Sequence, residues 1–273
     1  MILSRRITPT IPRWYADGDA LPPGTSLDKM LGMRHSEMTE ALKIARRHRV
    51  KSDQMLSPVE DDQEIWAAGV TYLRSRDERQ AESTVADVYG KVYDAARPEI
   101  FFKSPGWRAV GDGGKIRIRR DSEWNVPEPE LTLVVNAFGE IVGYTAGNDV
   151  SSRSIEGDNP LYLPQAKTYD GSCAIGPAIV LAEADQLTDL PILCSIQRGG
   201  MQVFSEEART SQMKRRLPEL VEYLVRETSF PNGVFLMTGT GIVPSHGFTL
   251  QPGDVVTVKV GELTLVNEVD QNR

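Results

Sequence analysis

Cysteine, histidine and long apolar runs are what this chain has least of. Its two cysteines, Cys173 and Cys194, make neither a disulfide framework nor a zinc site, as expected in a reducing cytoplasm. The three histidines, His35, His48 and His246, are scattered, so any metal held here needs oxygen ligands. No apolar stretch approaches the roughly 20 residues of a membrane span. The opening MILSRRITPTIPRWY has no apolar signal core and is cut by prolines, so no secretory peptide is read there. Basic residues are outnumbered, 31 against 38, for a net charge of −7, which argues against nucleic acid or an anionic membrane as the main partner. The basic clusters Arg46-Arg47-His48-Arg49 and Lys214-Arg215-Arg216 read as solvated helix faces. What remains is an ordinary soluble globule of 273 residues, long enough for one large domain and a small one.

Residues 1–60 read as a small N-terminal domain. Met30, Leu31, Met38, Leu42 and Ile44 have helical spacing there, and a turn-rich acidic connector begins at Ser57-Pro58. Residues 61–273 read as the main domain. EIWAAGVTY is a buried strand, and 72–98 is a charged stretch of one or two helices. Strand signals then recur: IFFK, KIRIRR, ELTLVV, EIVGYTAG, AIVLA, ILCSIQRGG, MQVF, VVTVKV and LTLVNEV, punctuated by Gly, Asn, Asp and Pro. LPELVEYLVRE is the clear helix among them. The pattern predicts an α+β fold dominated by β-structure, a mixed roll or sandwich.

In WNVPEPELTLVV, Glu128 and Glu130 share one face of a strand, since side chains alternate. Pro127 and Pro129 remove two N–H groups and suggest an edge or a bulged entry. Two adjacent carboxylates repel unless something neutralises them, and a hard divalent cation such as Mg²⁺ or Ca²⁺ does so with oxygen ligands. A hairpin turn in NAFG, centred between Ala137 and Phe138, sets Glu130 opposite Thr145 and Glu128 opposite Gly147. Asp149 then lies two residues further on, facing the same way. The plain alternative is a solvated strand end whose acids meet Arg119 and Arg120.

With the later stretches added, the chain resembles the fumarylacetoacetate hydrolase superfamily over roughly residues 64–270. The residues that carry the likeness are Glu128-Pro129-Glu130, Gly147-Asn148-Asp149, Lys167-Thr168-Tyr169-Asp170 and Thr238-Gly239-Thr240, with FFKSP and the closing QPGDVVTVKVGELTLVNEV. The resemblance implies a mixed β-roll or sandwich that binds one divalent cation. That ion is usually Mg²⁺, with Ca²⁺ or Mn²⁺ as alternatives, on Glu128, Glu130 and Asp149. It also implies that Lys167 faces the substrate, that the Thr240 segment holds a substrate carboxylate, and that the protein is a homo-oligomer, a dimer or tetramer.

One departure narrows the likeness. Hydrolase and decarboxylase members carry N-Y-x-x-H-x-x-E, whereas TYLRSRDE has Ser75 in the histidine position and keeps Glu78. Activation of water by a His–Glu pair is therefore unexpected. The chain is more similar to members that dehydrate 2-keto-3-deoxy sugar acids. The implied reaction takes a 2-keto-3-deoxypentonate such as the D-arabinonate to 2,5-dioxopentanoate through a metal-stabilised enolate. Hydrolysis or decarboxylation of an acylpyruvate, β-diketo acid or oxaloacetate is the alternative. Glu78 is a candidate acid/base and Lys167 a candidate for stabilising charge, while Arg74 and Arg76 are candidates for steering a small 2-keto acid. Each also reads as an ordinary surface residue. A Lys167 Schiff base ranks lower, because a metal already supplies the electron sink.

Overall fold

The computed structural model describes residues 1–9, 11–45, 47, 48, 50, 54–82 and 87–271. Arg46 and Arg49 of the first basic cluster lie outside them. The fold is dominated by two mixed sheets, as expected for a β-dominated α+β chain, beside a two-stranded ribbon of Asn125–Val126 and Ser151–Ser152. The larger has ten strands, in the order Asp19–Ala20, Pro12–Ala16, Ile2–Ile7, Cys173–Leu181, Ile141–Asp149, Pro129–Val135, Val234–Met237, Glu64–Gly69 and Glu99–Pro105, with Gln54–Leu56 also paired to Ile2–Ile7. The smaller runs Met201–Arg209, Pro191–Arg198, Val255–Val260, Leu263–Gln271 and Lys115–Ile118. The segment expected as a small N-terminal domain contributes four of the ten strands, and Ile2–Ile7 pairs directly with Cys173–Leu181.

Pro129–Val135 is buried along its whole length. On one face Leu131, Leu133 and Val135 pack into a core shared with Val256, Val258 and Val260 of the smaller sheet. On the other, Val134 packs with Leu31, Met38, Leu42 and Phe235. Each such side chain removed from water contributes roughly 1.5–3 kcal/mol. The apolar spacing after Leu27 forms two helices, Leu27–Leu31 and His35–Ile44, separated at Gly32-Met33-Arg34. Met30, Leu31, Met38 and Leu42 are buried as the spacing predicts, whereas Ile44 at the helix end is exposed.

The hairpin turn is longer than the sequence count. Asn136 accepts at Oδ1 from the N–H groups of Phe138 (3.0 Å) and Glu140 (2.8 Å), and Gly139 takes φ +74°. Val135 pairs with Ile141, and a bulge then shifts the register so that Gly143 faces Val134 and Gly147 faces Glu130. Turn and bulge each move the register by one residue. The expected facing survives, because two steps restore the side-chain alternation.

Pro127 and Pro129 do not mark a sheet edge. Pro129–Val135 has neighbours on both sides, and the strand Val234–Met237 covers it only from Thr132 onward. Beyond Met237, Thr238 N–H still donates to Leu131 O (3.0 Å), and the chain then turns away at Gly239, φ +90°. The N–H groups that the prolines lack would therefore point where no strand partner remains.

Candidate active site and metal centre

The gap left by that departing strand is where the acids gather. Glu128 and Glu130 stand at the entry of Pro129–Val135 and Asp149 at the end of Ile141–Asp149, with Asp149 N–H donating to Glu128 O (2.9 Å). One carboxylate oxygen from each lies within 4.8 Å of the others, and all three side chains are buried. The face that carries the two glutamates therefore turns toward an internal cavity, away from the Leu131 and Leu133 side.

Gly147, between these acids, has no room for a Cβ, which would stand 2.3 Å from Thr132 Oγ1 and 2.8 Å from Met237 Cε. Gly239 is constrained twice. Its φ is positive, and a Cβ there would stand 2.1 Å from Thr71 Oγ1. Its N–H donates to Glu130 Oε2 at 2.6 Å, fixing that carboxylate from the loop side. The G-x-D and T-G-T motifs are thus steric requirements of the cage.

Three buried cations face the three carboxylates. Lys167, at the end of helix Leu163–Lys167, donates to Glu128 Oε2 (2.9 Å), Asp149 Oδ2 (2.9 Å) and Ser151 Oγ (2.7 Å). Arg153 Nη2 lies 3.1 Å from Glu128 Oε1, and Lys103 closes on Asp149 Oδ1. Burial, then the charges of Asp149 and Glu128, push the Glu130 carboxyl well above its usual range, against the pull of Lys167 and the Gly239 N–H. Hard oxygen donors, mutual repulsion and exclusion from water are what a divalent cation relieves, so the donor set fits Mg²⁺.

Lys167 and Thr240 line the cavity. Thr240 Oγ1 is engaged with Ile242 O and Ile242 N–H, at 3.1 Å each. Glu78, Arg74 and Arg76 are placed elsewhere. Glu78 and Arg74 border an outer groove with Tyr72, Glu207 and Gln212. Arg74 pairs with Glu206 (2.7 Å), and Arg76 pairs with Asp77 (2.6 Å) and lies over the Tyr93 ring. Ser75, from the same helix, lies on the cavity wall.

The sequence reading missed Glu99, Lys103, Arg153 and Glu156. Glu99, Phe101 and Lys103 alternate along Glu99–Pro105. The first two line the cavity, where the period-2 rule applied to EIFFK would have paired them, and the third, at a bulge in the strand, meets Asp149. Glu99 lies flat over Gly69, whose Cβ would meet Glu99 Oε2 at 2.0 Å. Val70 beside it holds φ +54°, a conformation of roughly 1–3 kcal/mol for a β-branched residue, at the cavity wall. Grooves such as that between Glu140 and Val225 are wider, but convergent chemistry rather than size locates the site.

The family model described as fumarylacetoacetate (FAA) hydrolase C-terminal matches residues 64–270, and the chain belongs to this family. Within it, the chain is 51% identical over 211 residues to a probable 2-keto-3-deoxyxylonate dehydratase of Haloferax volcanii, covering 77% of this chain and 73% of the relative. It is 40% identical over 258 residues to 2-dehydro-3-deoxy-D-arabinonate dehydratase of Saccharolobus solfataricus, covering 88% and 86%. The structure of 2-keto-3-deoxy-D-arabinonate dehydratase complexed with magnesium and 2,5-dioxopentanoate matches all of both chains at TM-score 0.84 and 35% identity. Its apo form matches at TM-score 0.86 and 36% identity.

Proposed function

We propose that this chain is a Mg²⁺-dependent hydro-lyase that converts a 2-keto-3-deoxy sugar acid, a pentonate such as the D-arabinonate, to 2,5-dioxopentanoate. The observation that carries the reading is the buried cage of Glu128, Glu130 and Asp149 with Lys167 bonded to two of its members. Relatives that dehydrate 2-keto-3-deoxy acids support the substrate class. When bound, the cation polarises the keto acid and acidifies its C3 hydrogens.

The chain's own groups do the rest. Loss of the C3 proton and the C4 hydroxyl yields water and a C3=C4 enone. Reaching a 2,5-dioxo product then requires a proton to leave C5 and another to return to C3, after which the C4=C5 enol loses its hydroxyl proton and gains one at C4. Such a sequence needs carboxylates on the cavity wall, and among the described residues Glu99 and Glu156 are the two there outside the cage. Glu78, the candidate from the sequence, stands on the outer groove, so we assign the proton transfers to Glu99 and Glu156. Lys167 is assigned to charge developing on the substrate's oxygens, and the Thr240 segment to its carboxylate. Arg74 and Arg76, already paired with acids at the surface, are assigned at most a steering role.

Burial of Ser75 on the cavity wall argues against the hydrolase or decarboxylase alternative, since no imidazole stands where those members have one. Exposed Trp107, Leu161 and Met201 offer apolar surface for the homo-oligomer the family resemblance implies, which light scattering tests. The reading includes a cytoplasmic enzyme. Assays with 2-keto-3-deoxypentonates, acylpyruvates and oxaloacetate test the activity: dehydration of the first, dependent on Mg²⁺, is expected. Fast C–C cleavage of the others without dehydration overturns it.

A further inference from the structure

One cation of the cage takes no part in that chemistry. Lys103 is fully buried, and its Nζ joins two segments. It closes on Asp149 Oδ1 as an ion pair, and it donates to the carbonyls of Val150 (3.1 Å) and Lys167 (2.5 Å). The first two partners carry the third acid of the cage. The last is the end of the short helix whose Lys167 side chain returns to the same carboxylate through Oδ2. A fully shielded ammonium is tolerated only where charge and hydrogen bonds satisfy it, and here every partner belongs to the site's own framework.

We propose that Lys103 is a positioning residue, a fixed internal counter-ion that holds Asp149 by Oδ1, turns Oδ2 toward the cavity and ties the Lys167 helix end to the metal ligand. The inference rests on the reading of the cage as a Mg²⁺ site. Its consequence is that the protein folds with the cage assembled before the ion arrives. Lys103, Lys167 and Arg153 set three cations against the acids of the cage, so the ion joins a preformed site instead of organising one.

Lys103→Met keeps the stem and removes the charge. In EDTA its melting temperature is expected to fall by about 5 °C or more, and saturating Mg²⁺ to restore at least half of that loss, so the Mg²⁺-induced shift exceeds the wild-type shift. The double variant Lys103→Met/Asp149→Asn, which neutralises both partners, is expected to melt above Lys103→Met in EDTA. Equal losses with and without Mg²⁺, or a double variant no more stable than the single one, overturn the proposal and leave Lys103 as core filling. If the single variant does not fold, a double variant that folds supports the proposal and one that fails overturns it. A wild-type protein without any Mg²⁺ shift overturns the metal reading instead, and the comparison in EDTA still decides the pairing.

Discussion

Gly239→Ala tests the steric logic of the cage with an internal control. The new methyl group meets Thr71 Oγ1 at 2.1 Å and Ala68 O at 2.9 Å, and φ is +90°. Thr71 cannot swing aside freely, because its hydroxyl donates to Thr238 O at 2.6 Å inside the core. The backbone conformation costs about 1–2 kcal/mol, the overlap about 1–3 kcal/mol, and displacement of the N–H from Glu130 about 1 kcal/mol. The sum is about 3–6 kcal/mol, or a fall in melting temperature of about 10 °C or more. Gly253 has nearly the same φ, +85°, and a methyl group added there would have nothing within 4 Å. Gly253→Ala therefore carries the conformational cost alone, about 1–2 kcal/mol. Calorimetry on both variants gives the stability difference, and titration with Mg²⁺ gives affinity, which is expected to drop only for Gly239→Ala. Equal destabilisation of the two variants, with unchanged affinity, refutes the reasoning.

Glu130→Gln keeps the fold and loses Mg²⁺-dependent turnover, measured by assay with a circular-dichroism control. Its pH dependence follows from the raised carboxyl: the metal-free folded state keeps a proton that the unfolded chain loses above about 4.5, so this group's contribution to stability falls as pH rises from there toward the folded value. In EDTA the variant is expected to gain on wild type in urea unfolding between pH 5 and pH 8, and a constant difference contradicts the assignment. Lys167→Met is expected to lower kcat by about 100-fold or more while the Mg²⁺-induced rise in melting temperature persists. Loss of both together would mean the lysine serves the fold instead.

Much of this was legible because period-2 alternation and turn chemistry are local. ELTLVV and EIVGYTAG form neighbouring strands, and the facing of Glu128, Glu130 and Asp149 survived a register two residues off the count. The prolines misled because a neighbouring strand can end beside a central one. That departure depends on Gly239, more than a hundred residues away. Val234–Met237 went unread as a strand because its short apolar run lacks any periodic signature. The charged run 72–98 offered Glu78 as an acid/base and Arg74 and Arg76 as steering groups, and only the helix Leu73–Glu82 decides that Ser75 turns inward. Lys103 and Arg153 were hidden for the opposite reason: sequence places cations at the surface by default, and their burial is set by acids distant along the chain.

The most direct measurement follows 2-keto-3-deoxy-D-arabinonate by NMR with the purified protein, in EDTA and then with Mg²⁺ restored. The account predicts 2,5-dioxopentanoate only when Mg²⁺ is present. Conversion that proceeds equally in EDTA, or cleavage of the carbon chain to pyruvate, would contradict it.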